Sequence, residues 1–446
     1  MSNKNAMFRQ LILLMTGALA ARVGLRAQDA AAAQTDERWN IHFQATSIGQ
    51  HHGSFDSPYE GENSLPGHPE NRVSLTTTIF LSYRVNSWTE IVFDPEVAGG
   101  KGFGGVTGIA GFTNGEIPRV AQAVPTLYVA RAFVRNTWGL GAETEYQEGG
   151  ANQLGGALPV RRFTLITGKL AISDYFDNNT YSHDPRRQFM NWALMSNGAW
   201  DYPADTRGYT AGTVAELTMR TWSLRGAAVL EPTEANGPVL DTRIGKNRGV
   251  AVEWEQRYRP WRRHGVLRLL GYLNRERAGT FREALALAGA GVPDLGPTRR
   301  PGTEKYGFEV NVEQELARDL GVFGRYGWSD GKTEAWAFTQ IDRSLSGGVS
   351  IPGRLWKRAG DTVGIAGVRN YLSGDDRRFL AAGGVGFIIG DGRLNYAPET
   401  IAEAYYAWHV LRQWTMTLDY QRVANPAYNR DRGPVGVASL RVHWER

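Results

Sequence analysis

Cysteine is absent from this chain, which excludes a disulfide framework and any structural metal centre built on thiolates. Long apolar runs are almost as scarce. Mean hydropathy is −0.38, and beyond the N-terminus no stretch approaches the roughly 18 apolar residues that a membrane-spanning helix requires. A helical membrane protein is therefore excluded, whereas a β-barrel passes the same test because half of every strand faces water. Nor does any composition shift, linker or charge block divide the 446 residues, so the chain reads as one large domain.

Chemical signatures are missing too. There is no G-x-S-x-G, and the only serine–histidine neighbours, Ser182 and His183, lack a third group to orient them. His42, His51, His52 and His68 cluster in sequence, but without the spacing that places three or four metal ligands on a rigid element. The glycine-rich stretch 99–111 lacks the lysine–serine ending of a phosphate loop. Asp177 or Asp184 with Asp201 supplies the two carboxylates of a glycosidase, yet lumenal acids belong to any open pore, and a flow-through channel does not exclude water as a closed site does. The sequence reads as a non-enzyme, with no cofactor and no metal.

What is present begins with an export signal. Lys4 and Arg9 precede the apolar run Leu11 to Ala21, with a small residue at Ala27, so residues 1–27 are expected to be a secretory signal peptide and residues 28–446 the mature domain. Loss of Lys4, Arg9, Arg22 and Arg26 with no acid lowers the formal charge from +5 to about +1, which gives nucleic-acid binding little support.

After that segment, short amphipathic runs repeat at period two. In 38–47, Trp39, Ile41, Phe43 and Ala45 alternate with Asn40, His42, Gln44 and Thr46. In 304–314, Tyr306, Phe308, Val310 and Val312 oppose Glu309, Asn311 and Glu313. Segment 137–147 places Trp138, Leu140, Ala142, Thr144 and Tyr146 opposite Gly139, Gly141, Glu143, Glu145 and Gln147. Further runs start near 72, 86, 126, 161, 209, 221, 248, 266, 320, 334, 361, 383, 400, 412 and 434. Sixteen to eighteen strands of a transmembrane antiparallel β-barrel follow, with lipid outside and water inside. The 54 glycines and 14 tryptophans suit tight turns and aromatic girdles at two membrane interfaces. Asn236-Gly237 and Ser329-Asp330-Gly331 read as hairpin turns, and 48–71, 95–125, 171–208 and 276–303 as long loops, the last with a short helix at FREALALAGA.

Loop 171–208 is too rich in aromatics and charge for a plain solvated tip. Five aspartates, Asp174, Asp177, Asp184, Asp201 and Asp205, face Arg186, Arg187 and Arg207, with Trp192, Trp200 and other rings interleaved. Sugars need such a mixture, since aromatic faces cover the C–H side of the ring while charged groups hydrogen-bond the hydroxyls. The alternative is a loop that folds inward and satisfies its own ion pairs, narrowing and stiffening the barrel.

The run FDNNTYSHDPRRQFMNWAL followed by NGAWDYPADTRGY resembles the signature segment of the carbohydrate-selective porins of the OprB type. KYGFEVNVEQEL (305–316), GWSDGKTEAWAFTQID (327–342), the stretch from Trp356 to Ala366 and NPAYNRDRGPV (425–435) resemble that family too, so the match covers nearly the whole mature chain. The resemblance implies an all-β outer-membrane barrel of sixteen strands whose inward-folded loops form an eyelet lined by arginines and carboxylates. One departure concerns the end of the chain: outer-membrane barrels usually finish on an aromatic residue, and here Glu445 and Arg446 follow Trp444.

The resulting expectation is a channel in the bacterial outer membrane for passive, partly selective diffusion of small saccharides, as monomer or trimer, with membrane lipid as its other partner. Arg186, Arg187 and Arg207 are expected to donate to sugar hydroxyls, Asp177, Asp184, Asp201 and Asp205 to accept, and Trp192 and Trp200 to stack. Two other classes remain open at this point, an exporter of an acidic polysaccharide and a non-transporting barrel scaffold.

Overall fold

The computed structural model describes residues 36–117, 124–337 and 340–446; the expected signal peptide lies outside them. The alternating runs form β1 (Trp39–His52), β2 (Glu70–Asn86), β3 (Thr89–Gly100), β4 (Thr126–Gly139), β5 (Thr144–Gln147), β6 (Gly156–Pro159), β7 (Arg162–Leu170), β8 (Thr210–Thr218), β9 (Trp222–Val229), β10 (Arg248–Tyr258), β11 (Gly265–Glu276), β12 (Thr303–Ala317), β13 (Leu320–Ser329), β14 (Arg343–Pro352), β15 (Thr362–Tyr371), β16 (Glu399–Leu411), β17 (Trp414–Ala424) and β18 (Val435–Glu445). All but β5 and β6 pair antiparallel in chain order, and β18 meets β1 to close a sixteen-stranded barrel.

Strand β12 shows why the pattern folds this way. Lys305, Glu309, Asn311 and Glu313 are buried in the lumen, while Tyr306 and Phe308 lie exposed on the outer face. Phe308 stands opposite Trp328 of β13, with ring centroids 5.7 Å apart, and Tyr306 meets the same indole at 5.9 Å. Cross-strand aromatic pairs of this kind stabilise one register, and a slip by one residue would turn every lumenal charge toward lipid.

Connections differ between the two rims. On one, β2–β3, β12–β13 and β16–β17 are joined by two residues each. On the other, the connections through 53–69, 101–117, 171–209, 277–302 and 372–398 are long. Short turns belong to the periplasmic side of such barrels and long loops to the outside. Among the described residues the long loops carry three α-helices, α1 (Trp192–Met195), α2 (Phe281–Ala288) and α3 (Gly374–Ala381), of which α2 is the helix expected at FREALALAGA. Their apolar side chains, among them Phe103, Phe176, Phe189, Trp200, Phe281 and Phe379, join one buried cluster. This barrel therefore has a core of loops inside it.

Three expected strands are corrected. In 137–147, β4 ends at Gly139, Leu140 donates its backbone N–H to Arg161, and Thr144–Gln147 pairs with Gly156–Pro159 in a separate two-stranded sheet. Alternation cannot distinguish a barrel strand from a loop hairpin, since side chains alternate along any extended strand; here Thr144, Glu145 and Tyr146 are all exposed. The run near 334 is loop, with Ala335, Trp336 and Ala337 buried; the strand is Arg343–Pro352, whose Gly347-Gly348 and serines dilute the pattern. Near 383, Phe387, Ile388 and Ile389 are all buried in succession within a loop, which is interior packing on every side. Asn236-Gly237 and Ser329-Asp330-Gly331 likewise fall in or at the start of longer loops rather than in two-residue hairpins.

Phe308→Arg, on the lipid face in mid-strand, is expected to lower unfolding free energy in lipid vesicles by about 2–4 kcal/mol. Leu140→Arg, past the end of β4, is expected to cost under about 1 kcal/mol. Equal losses in urea titrations of the two folded variants would contradict this placement.

Candidate constriction site

Residues 171–209 leave β7, cross the lumen and return as β8. Charges facing inward from the wall hold this crossing loop along its length. The Asp177 carboxylate accepts from Arg325 Nε at 2.7 Å, Asn311 Nδ2 at 2.9 Å and the Asn197 backbone N–H at 2.6 Å. Arg325 also donates to the carbonyls of Leu194 and Ser182. Glu313 accepts from the backbone and hydroxyl of Thr180 at 2.7 and 2.8 Å, and Glu403 from the backbone N–H groups of Met190 and Asn191 at 2.6 and 3.0 Å. Arg441 of β18 donates to the carbonyls of Pro185 and Gln188 at 2.6 and 2.7 Å. Near the far end, Asp201 accepts from Lys305 Nζ at 2.9 Å and from the backbone of Trp336 and Ala337 at 2.7 and 2.8 Å. Contacts with β12, β13, β16 and β18 thus fasten most of the loop, while Asp174, accepting from Arg131 Nε of β4 at 2.6 Å, ties its start to the facing wall.

A cleft opens on the other side, between the crossing loop and the wall of β2, β3 and β4. It encloses about 100 Å³ and is lined by Thr76, Glu96, Tyr128, Glu116, Arg186, Thr206, Arg207 and Tyr209, among others. Arg186 bridges two acids, donating from Nε to Glu116 at 2.7 Å and from Nη2 to Glu96 at 3.1 Å. Glu96 also accepts from Tyr209 Oη at 3.0 Å, from Thr78 and from Tyr128. The Arg207 guanidinium lies over the Tyr128 ring, 3.9 Å from its centroid. Burial pushes the Glu116 carboxyl above its ordinary pKa, and Arg186 acts against that shift. For Arg186, burial disfavours the charge, but Glu116 and Glu96 outweigh it and raise its pKa.

The nine residues singled out from sequence divide into three groups. Arg186 and Arg207 reach the cleft. Asp184 and Arg187 stand partly exposed elsewhere on the loop, 3.8 Å apart, and Arg187 also pairs with Glu445. The other five are built into the protein. Asp177 and Asp201 are the anchors described above. Asp205 accepts from the backbone of Arg207 and Tyr209 at 2.9 and 3.1 Å, so it shapes the turn that presents Arg207; burial raises its pKa. Trp200 is 1% exposed and packs on Phe176, Tyr202 and Tyr272. Trp192 is 3% exposed, stacked between Phe112 at 4.8 Å and Tyr202 at 5.6 Å, and only its edge borders the cleft. The expectation that both tryptophans stack on sugar is therefore corrected, because each ring face is already covered by protein.

Sequence reasoning missed Glu96, Glu116, Tyr128 and Tyr209. For Glu96 a signal existed in Pro95, since proline inside a strand marks a bulge. The β3–β4 register shifts there, between Asp94 and Pro95. Glu116 lies on another loop, where nothing in the pattern tied it to Arg186.

A family model described as carbohydrate-selective porin, OprB family, matches residues 91–445. No curated protein matches the chain. Among solved structures, the high-pH form of Pseudomonas putida OprB superposes with a TM-score of 0.69 at 14% identity, covering 92% of this chain and 94% of that one. The low-pH form of the same protein gives 0.49 at 10% identity, covering 92% of each chain. Salmonella typhi OmpF in complex with daunomycin gives 0.48 at 9% identity, covering 92% and 97%. The first of these likenesses shows the fold.

Two substitutions test the structural assignments. Asp177→Ala removes the nearer of two carboxylates at the buried Arg325 guanidinium, leaving Glu309 at 3.6 Å, and is expected to destabilise the folded protein by about 3 kcal/mol. Trp200→Ala opens a cavity in the loop core and is expected to cost about 3–5 kcal/mol. Denaturant unfolding of the reconstituted variants reads both, and wild-type stability with weakened sugar block would restore Trp200 as a stacking residue.

Proposed function

Because this chain belongs to the carbohydrate-selective porin family, OprB, and is an outer-membrane channel for carbohydrate diffusion, we propose that its selectivity resides in the cleft between the crossing loop and the β2–β4 wall. The observation that carries this reading is the meeting of Arg186, Arg207, Glu116 and Tyr128 around one opening. Passage is passive. A permeating sugar exchanges part of its water shell for several weak contacts, which must be favourable enough for entry and weak enough for release.

Roles follow from what each side chain already holds. Arg207 has no carboxylate partner within ion-pair distance among the described residues, so its N–H donors are the ones a sugar hydroxyl can use, while Tyr128 fixes the plane of the guanidinium. Arg186 is committed to Glu96 and Glu116 and acts mainly by fixing the gap between two loops. Asp184 and Arg187, half exposed, offer a second, weaker contact along the path. Acids facing the cleft argue against a uniformly cationic track of the kind an acidic polysaccharide would follow. Each chain closes its own barrel, so a monomer and a trimer would conduct through the same site.

Single-channel recording with a panel of mono- and disaccharides tests the proposal. Arg207→Ala is expected to weaken sugar block by about 1.5–3 kcal/mol for each charged hydrogen bond lost, with little change in salt conductance. Arg186→Ala is expected to change salt and sugar passage together, because it leaves Glu96 and Glu116 buried without their cation. Unaltered sugar block in Arg207→Ala would move selectivity away from this cleft.

A further inference from the structure

The short-turn rim carries a feature that sugar passage does not use. Four successive turns of the barrel, β10–β11, β12–β13, β14–β15 and β16–β17, each place a large apolar side chain beside cations. Trp261, Leu316, Leu355 and Leu411 are between 53% and 85% exposed there, far more than water tolerates cheaply in four neighbouring turns. Residues 259–264, 315–319, 353–361 and 411–413 contain eight arginines and lysines against three acids.

Those acids are already engaged. Glu315 meets Arg263 at 3.5 Å, Asp319 meets Arg354 at 3.4 Å and Arg318 at 3.8 Å, and Asp361 pairs with Arg358. Among the described residues, Arg259, Arg262, Lys357 and Arg412 have no ion-pair partner, and all four are exposed. Trp261 sits at φ 51° in its turn, outside the regions a bulky residue prefers, and is held at the tip between the two unpaired arginines.

Depth in the membrane follows from the rings nearby. Arg358 lies over Trp408 at 5.7 Å, and Trp356 meets Tyr406 at 6.2 Å. Trp414 and Trp444 continue the band toward the closing strand, 6.4 Å apart. Aromatic belts sit at headgroup level, so the unpaired cations beside them, Lys357 next to Trp356 and Arg412 two residues from Trp414, are level with lipid phosphates.

We propose that this sector of the rim is a binding surface for anionic phospholipid headgroups of the periplasmic leaflet, with Arg259, Arg262, Lys357 and Arg412 as the phosphate-binding cations and Trp261 as the interfacial anchor. Charge complementarity and the exposed apolar tips select this occupant over a soluble acidic protein, which would leave the tips uncovered. Lipid bound here holds the turns between β10 and β17 without touching the constriction.

The test uses the folded porin in nanodiscs of equimolar phosphatidylglycerol and phosphatidylcholine, followed by transfer to detergent and counting of retained lipids by native mass spectrometry. Phosphatidylglycerol is expected to be retained over phosphatidylcholine by about fivefold or more, since each cation near an anionic surface is worth about that factor. Raised salt in the transfer buffer is expected to reduce the enrichment. Combined Arg259→Gln, Arg262→Gln, Lys357→Gln and Arg412→Gln should return retention to the bulk ratio with single-channel conductance unchanged; if the combination does not fold, Arg259→Gln with Arg262→Gln alone should lower it. Lys246→Gln with Arg430→Gln, on the long-loop side, should leave the enrichment intact. Retention at the bulk ratio in the wild type, enrichment that survives the rim substitutions, or loss of it in the long-loop control would each overturn the proposal.

Discussion

Backbone amides cannot face hydrocarbon unpaired, and most of this structure follows from that constraint. A sheet in lipid has to close, so the seam between β1 and β18 matters as much as any internal ladder. Phe43 and Arg446 exchange both backbone hydrogen bonds there, each at 2.9 Å. The ladder therefore runs as far as Arg446. Trp444, two positions earlier, packs edge-on against Phe43 at 5.1 Å and supplies the aromatic group that such barrels usually carry at their end.

Closing sixteen strands leaves a lumen too wide to select among small solutes. Here it is filled by loops that bring their own apolar core, and that core needs a fixed path through a polar interior. Buried charges set the path: Asp177 to Arg325, Asp201 to Lys305, and Glu403 and Arg441 to the loop backbone. Such pairs add little net stability, because desolvation offsets most of the Coulombic gain. Displacing the loop, however, would strand several buried charges at once, so the arrangement that satisfies them all is strongly preferred. The opening then lies between the contacts the loop makes with the facing wall, Asp174 with Arg131 of β4 and Arg186 with Glu96 of β3.

Residues of one type serve different purposes in this loop. Arg186 is saturated by two acids and acts as a strut, whereas Arg207 keeps its donors free because Tyr128, an aromatic face, holds it in place of a carboxylate. Asp205 works through backbone N–H groups to turn Arg207 toward the cleft. Trp192 borders the cleft at its edge, and Trp200 packs within the loop core.

The barrel was legible in the sequence because its physical cause is local: side chains alternate across a strand, and lipid and water demand opposite chemistry on the two faces. Tyr306 and Phe308 against Glu309 and Asn311 state the whole rule within a few residues. The resemblance of FDNNTYSHDPRRQFMNWAL to carbohydrate-selective porins identified the crossing loop for a similar reason, since its composition is concentrated in one segment. Which loop residues meet solute was not local. Trp200 and Asp177 look as suited to sugar as Arg207 does until Tyr272, from β11, and Arg325, from β13, are placed against them. The same holds for segment 137–147, where a hairpin and a barrel strand share one pattern and only the partner strand differs. Sequence determined the alternation of lipid-facing and lumenal residues along the strands and that a charged aromatic loop fills the pore; tertiary structure alone decided which of its groups are left free, because burial and ion pairing depend on residues distant in the chain, 70 positions for Arg186 and Glu116 and 148 for Asp177 and Arg325.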